Sequence, residues 1–186
     1  MVEPVDQADW AAYRDGEEAA LERLIERHRG PLFGYLVNMC RNTADAEELF
    51  QDVWLKVIRK PEAFRGGNLG GWLMRVAHNL VIDRSRKRTP DLTLDVTDEA
   101  GERPLIDRVA SPEATPAEAL AAGDLGRQIE RAVATLPPDQ REVFLMRVES
   151  DLPFKEIARI QKVSINTALA RMQYALNKLR PLMAAG

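Results

Sequence analysis

Residues 151–180 read DLPFKEIARIQKVSINTALARMQYALNKLR, and this stretch decides the fold. Phe154, Ile157 and Ala158 recur at the spacing of a short helix with one inward face. Gln161-Lys162-Val163 breaks the pattern as a tight corner, and Ser164 suits the N-cap of a second helix. In that helix Ile165, Leu169, Met172, Leu176 and Leu179 fall three or four residues apart and predict one buried stripe. The opposite face carries Asn166, Thr167, Ala170, Arg171, Gln173 and Tyr174. Two helices joined by a short turn, the second offering small and polar side chains outward, make the helix-turn-helix arrangement that enters a DNA major groove. An ordinary helical hairpin with a solvated face has the same pattern. Upstream, Leu136-Pro137-Pro138-Asp139-Gln140-Arg141-Glu142-Val143-Phe144-Leu145 starts a helix with proline in its first turn. That third helix can pack behind the pair.

Residues 89–123 read TPDLTLDVTDEAGERPLIDRVASPEATPAEALAAG. Four prolines, scattered acids and only two arginines predict an acidic, irregular tether, with the lobes on either side free to change orientation. Before it, from Glu17 to Arg88, helical spacing returns with Leu21, Leu24, Ile25 and His28, then Leu32, Tyr35, Leu36 and Met39. Two further helices are expected over Ala44–Arg59 and Leu69–Arg88, bounded by Cys40-Arg41-Asn42-Thr43 and Arg65-Gly66-Gly67-Asn68. The expected fold is all-α, two small helical domains on a linker. The expected boundaries are an N-terminal extension at 1–17, a first domain at 18–88, a linker at 89–123 and a second domain at 124–183.

In the first lobe, the helix from Asp45 to Val57 is amphipathic, with Asp45, Glu48 and Asp52 on an acidic edge that suits a basic partner or plain solvent. On the helix from Gly71 to Arg88, Leu73, Val76, Ala77 and Leu80 form the expected buried stripe. Trp72, Arg75, Asn79, Asp83 and Arg86 share another face, and the helix ends in Arg84, Arg86, Lys87 and Arg88. An aromatic ring, an amide and arginines on one surface suit unstacked bases and phosphates. The same residues also suit a core tryptophan and a solubilising helix end.

Composition sets limits. The 186 residues carry a formal charge of −3, so any DNA binding rests on local basic patches or on a partner. No apolar run approaches the roughly 20 residues of a membrane span, so no membrane insertion is expected. An acidic N-terminus without a basic start argues against a secretory signal, which makes the chain cytoplasmic. Cys40 is the single cysteine and makes neither an internal disulfide nor a thiolate zinc site. Without a phosphate loop, a nucleophile–base constellation or a metal cluster, no catalytic residue, no metal and no cofactor is expected, and the chain does not read as an enzyme.

Both lobes together resemble the extracytoplasmic-function (group IV) sigma factors of bacterial RNA polymerase. The resemblance runs from about Glu18 to Leu182. It rests on Asp45-Ala46-Glu47-Glu48-Leu49-Phe50-Gln51-Asp52-Val53-Trp54, on Trp72-Leu73-Met74-Arg75-Val76-Ala77-His78-Asn79-Leu80-Val81-Ile82-Asp83 and on Leu136-Pro137-Pro138-Asp139-Gln140-Arg141, in that order. It implies a transcription initiation factor that binds core RNA polymerase and directs promoter recognition and opening. Asp45, Glu48, Leu49, Gln51, Asp52 and Trp54 would dock on the clamp of the largest polymerase subunit, and the flap of the second subunit is a further implied contact of the chain. Phe64, Asn68, Trp72, Arg75, Asn79, Asp83, Arg86 and Lys87 would bind the minus-10 element, holding a base flipped from the non-template strand. Lys155, Asn166, Thr167, Ala170, Arg171, Gln173 and Tyr174 would bind minus-35 DNA. An anti-sigma factor is a further implied partner. The chain departs from the family pattern at Leu169 and Tyr174, where basic residues are common, and at Ala170, where serine is. A sigma-like adaptor that binds a protein without reading promoters is the alternative, followed by a standalone helix-turn-helix repressor.

Overall fold

Local capping sets most of the architecture. The computed structural model describes residues 4–88 and 129–184, and every regular element among them is a helix. Helix α1 spans Pro4–Arg14 and α2 spans Glu18–Cys40. Arg41 ends α2 in the left-handed conformation (φ 56°), its N–H bonding back to the Val37 carbonyl. The Asn42 side chain then accepts the Asp45 N–H at 3.1 Å and starts α3, Thr43–Arg59. A single 3₁₀ turn, Pro61–Ala63, leads to Gly66 and Gly67 at φ +91° and +97°, a backbone that only glycine adopts without strain. Asn68 accepts the Gly71 N–H at 3.0 Å and launches α4, Leu69–Arg88.

The second described segment is helical over 129–134, followed by α5 (Pro138–Val148), α6 (Phe154–Gln161) and α7 (Ile165–Ala184). Lys162 turns the corner at φ 56°, and the Ser164 hydroxyl caps α7 by accepting the Thr167 N–H at 3.0 Å. The tether expected at 89–123 lies outside the described residues.

In the first lobe α2, α3 and α4 enclose Leu24, Leu32, Leu36, Leu49, Val53, Trp54, Leu69 and Leu73. Val133, Leu136, Val143, Met146, Leu152, Ile157 and Leu179 fill the second. The two cores merge into one cluster, because α5 packs on α2 and α6 on α4. The lobes of this structure are therefore docked against each other. Glu142 of α5 is the hub of that contact. One of its oxygens accepts the Tyr35 hydroxyl at 2.6 Å and stands 2.6 Å from Nδ1 of His78, and the other accepts from Gln161 at 2.6 Å. A carboxylate only accepts, so Nδ1 of His78 carries the proton. Burial alone pushes Glu142 up. The hydrogen bond and charge of His78, with the bonds from Tyr35 and Gln161, outweigh it and hold the carboxyl below its ordinary value. Beside it, buried Arg141 donates to the carbonyls of Asn38, Ala134 and Leu136.

At the N-terminal end, α1 packs on α2, and its Trp10 belongs to the core. One expectation needs correction, at α7. The buried stripe of α7 is Ala168, Ala175 and Leu179, whereas Ile165, Leu169 and Leu176 are 43–45% exposed. Alanines let α7 approach α5 and α6 closely, and the longer side chains are left flanking that line of contact.

Candidate nucleic-acid interface

Three aromatic rings, from α1, from the loop after the 3₁₀ turn and from the first turn of α4, are in mutual contact. Phe64 and Trp72 lie 5.4 Å apart between centroids, and Trp10 of α1 meets them edge-on at 5.0 and 6.2 Å. Edge-to-face geometry sets the positive rim of one ring against the negative face of another and fixes their relative planes. Phe64 and Trp10 are buried, whereas Trp72 is half-exposed. Trp72 therefore has an open side and a braced one. It lines a cleft of about 600 Å³ with Arg65, Gly66, Gly67 and Arg75 from the first lobe and Glu156, Arg159 and Ile160 from α6. Both arginines of the first lobe and Arg159 are exposed at this mouth. An aromatic platform with guanidinium groups around it can stack an unpaired base and hold its phosphates.

Not every residue expected to contact DNA here is available. Phe64 is 5% exposed and supports Trp72 from behind. Asn68 is committed at both ends: its oxygen caps α4, and its amide donates to Glu156 at 3.1 Å. Gly71 permits that contact, since a Cβ there would sit 2.9 Å from the Glu156 carboxylate. Arg75, Asn79, Asp83, Arg86 and Lys87 are exposed along α4, as the helical spacing predicts. Arg84 leaves the expected basic cluster, because it turns inward to Asp45 at 2.6 Å and Glu48 at 2.8 Å. The Glu48 carboxylate first, and Asp45 with it, hold this guanidinium firmly protonated.

That pairing also changes α3. Asp45 is buried, and Leu49 and Trp54 belong to the core, so none of the three forms an outward docking edge here. Glu48 and Gln51 are exposed and Asp52 is half-buried, beside exposed Leu55 and Ile58.

In the second lobe Lys155 of α6 and Asn166, Thr167, Ala170, Gln173 and Tyr174 of α7 all face solvent. The Thr167 hydroxyl lies 2.8 Å from that of Ser164. Arg171 is turned back, donating to Gln161 at 2.7 Å and pairing with Asp139 at 2.6 Å. Sequence spacing placed Arg171 on the outward face but not its partners. Tyr35, His78 and Glu142 were missed as a group, since Tyr35 and Glu142 stand 107 positions apart and share no periodicity. Among the described residues no cluster of His, Cys, Asp and Glu could hold a metal ion, and no helix is long and apolar enough to cross a membrane.

Comparison with known proteins supplies the context for this geometry. Residues 24–90 match the model of sigma-70 region 2, and residues 126–179 match that of sigma-70 region 4. The chain is 32% identical to the RNA polymerase sigma factor CarQ of Myxococcus xanthus, covering 92% of this chain and 93% of that one. It is 27% identical to the ECF RNA polymerase sigma factor SigE of Mycolicibacterium smegmatis, over 98% of this chain and 71% of the relative. Two solved structures share the fold. CnrH in complex with the cytosolic domain of CnrY has a TM-score of 0.66 at 19% identity, covering 98% of this chain and 99% of that one. The sigma factor RpoE in complex with the anti-sigma factor NepR, from Bartonella quintana, has a TM-score of 0.65 at 21% identity, covering 88% and 96%.

Proposed function

The chain belongs to the extracytoplasmic-function group of the sigma-70 family, and from that premise we propose how its parts divide the work of transcription initiation. It binds core RNA polymerase in the cytoplasm and directs promoter recognition and opening. Residues 18–88 act as region 2 and residues 124–183 as region 4, joined by the 89–123 linker. The outward part of α3, with Glu48, Gln51 and Asp52, docks on the clamp of the largest subunit. Asp45, Leu49 and Trp54 hold that helix in place from inside. The second lobe docks on the flap of the second subunit. Trp72 stacks a base flipped from the minus-10 element, Arg75 and Asn79 read or hold it, and Arg86 and Lys87 contact phosphates. Unstacking a base costs a few kcal/mol, which a preformed platform offsets selectively. Asn166, Gln173 and Tyr174 carry most of the minus-35 contacts, because Arg171 is already engaged. An anti-sigma factor is the partner suggested by the RpoE–NepR complex of similar fold.

The observation that carries this reading is Trp72, open on one side and braced by two rings on the other, at a cleft rimmed with arginine. In vitro transcription with core polymerase and a randomised promoter library tests it. The expected outcome is enrichment of one minus-10 and one minus-35 sequence. Gln51→Ala with Asp52→Lys is expected to weaken core binding while the fold stays intact. Core binding without transcription from any library member would return the adaptor reading.

A further inference from the structure

Helix α1 lies outside the residues matched by either family model, yet it reaches the proposed base pocket. Its attachment to α2 includes a cluster of ion pairs. Arg27 bridges Asp6 and Asp9, each at 2.7 Å, Arg23 adds a second bond to Asp9 at 2.8 Å, and Nε2 of His28 meets Asp6 at 2.9 Å. The Arg27 and Arg23 guanidiniums hold the Asp9 carboxyl below its ordinary value. Forked bonds of this kind fix the rotation of a helix as well as its position. Among the described side chains of α1, Asp6 and Asp9 are buried and Tyr13 is partly buried against Trp10, while Trp10 is the apolar group that is buried outright. That group lies against Phe64 and Trp72. Its indole N–H is buried and has no hydrogen-bond partner among the described residues. A phenylalanine would avoid that cost, so the ring, and not its polar atom, accounts for the packing.

We propose that α1 is part of the base-reading apparatus, with Trp10 a positioning residue that sets the plane of the Trp72 ring. This rests on the reading of Trp72 as the platform for a flipped base. A platform rewards stacking only when its plane is already fixed, because a ring free to tilt must be ordered by each base it receives. Trp10 supplies the third contact that, with Phe64 and the α4 backbone, removes that freedom. The ion pairs to α2 make the brace rigid.

The test uses the full chain with core polymerase, on the promoter that the wild-type chain selects from a randomised library. Permanganate footprinting and transcription across single-base minus-10 variants are compared for Trp10→Ala, Trp10→Leu, Trp10→Phe, Trp72→Ala and the double alanine variant. Trp10→Ala is expected to reduce open complexes about tenfold and to flatten the preference at the base that Trp72 receives. Trp10→Leu keeps apolar volume without a ring and should do the same while retaining its fold by circular dichroism. Trp10→Phe should restore the preference. The double variant should be no worse than Trp72→Ala alone, since a residue acting through another adds nothing once that other is gone. Wild-type base preference in a folded Trp10→Leu variant, with Trp72→Ala flattened, overturns the role of Trp10 and leaves the pocket standing. An additive double variant overturns it too, by showing that Trp10 acts on stability alone. A Trp72→Ala variant with unchanged preference overturns the pocket itself.

Discussion

The two proposed DNA-reading surfaces are built on opposite principles. In the first lobe the reader is a ring held by other rings, at a cleft whose far wall belongs to the second lobe. In the second lobe the reader is a helix face open to solvent along α7, with its best cation turned back to Asp139 and Gln161. One surface is organised and covered, the other uncovered and lightly charged. A pocket for a single unstacked base must be shaped before the base arrives, whereas a major groove is met by side chains that can settle after docking. On the proposed assignment of the two surfaces, most of the specificity is expected in the first lobe.

The strongest way to break the contrast is to uncover the first reader. Glu142→Ala leaves the Tyr35 hydroxyl and the His78 ring without their acceptor, and is expected to weaken lobe docking by about 2–4 kcal/mol. Amide hydrogen exchange should then speed up across residues 64–72 while α7 stays as it was. Unchanged protection of that loop would mean that Glu142 does not hold the cover. Acid should act on the same group. Because the folded carboxyl lies below its ordinary value of 4.5, its contribution is complete above that value and is lost as pH falls further, through the lowered one. Scattering radius and tryptophan fluorescence should therefore be flat from neutrality to about pH 5 and change only below it.

Next in size, Trp72→Ala should cost about 1–3 kcal/mol of base stacking, read as fewer open complexes with core binding intact. Asn79→Ala should relax preference at one minus-10 position, since alanine neither donates nor accepts. In the second lobe Asn166→Ala with Gln173→Ala should lower minus-35 discrimination by about 1–2 kcal/mol, measured by competition between promoter variants. Arg171→Ala should change it by less than about 1 kcal/mol, because its partly exposed pair with Asp139 already occupies it. Arg171→Ala outweighing the other two would mean that the helix rearranges on DNA. The smallest effect is expected at Arg86 and Lys87. Their alanine variants should leave base preference alone and lower the salt slope of binding by about one each.

The helices were legible because their ends are written locally: Asn42, Asn68, Ser164 and the Pro137-Pro138 pair each sit at or beside the start of one. The outward set on α4 followed from spacing alone, since Arg75, Asn79 and Asp83 differ by one turn each. Spacing misread α7, because it counts how apolar a residue is and not how close a neighbour can come. Ala168 and Ala175 win the contact by being small. It also misread Asp45 and Arg84, which look like two solvated charges until the fold brings them within 2.6 Å. The reach of α1 to the pocket and the convergence of Tyr35, His78 and Glu142 depend on contacts between distant segments. No local pattern records such contacts.

Lobe docking can also be expressed as a population. If lobe docking as a whole, the Glu142 contact included, is worth about 2.7 kcal/mol, roughly one molecule in a hundred has its lobes apart at any moment. Any partner that needs the cleft open then binds with its intrinsic affinity divided by about a hundred. A change at Tyr35, His78, Gln161 or Glu142 would make the chain look like a tighter binder of promoter or polymerase without adding one contact to either. Affinity measured on the whole chain therefore reports two equilibria at once, and only one of them belongs to the DNA.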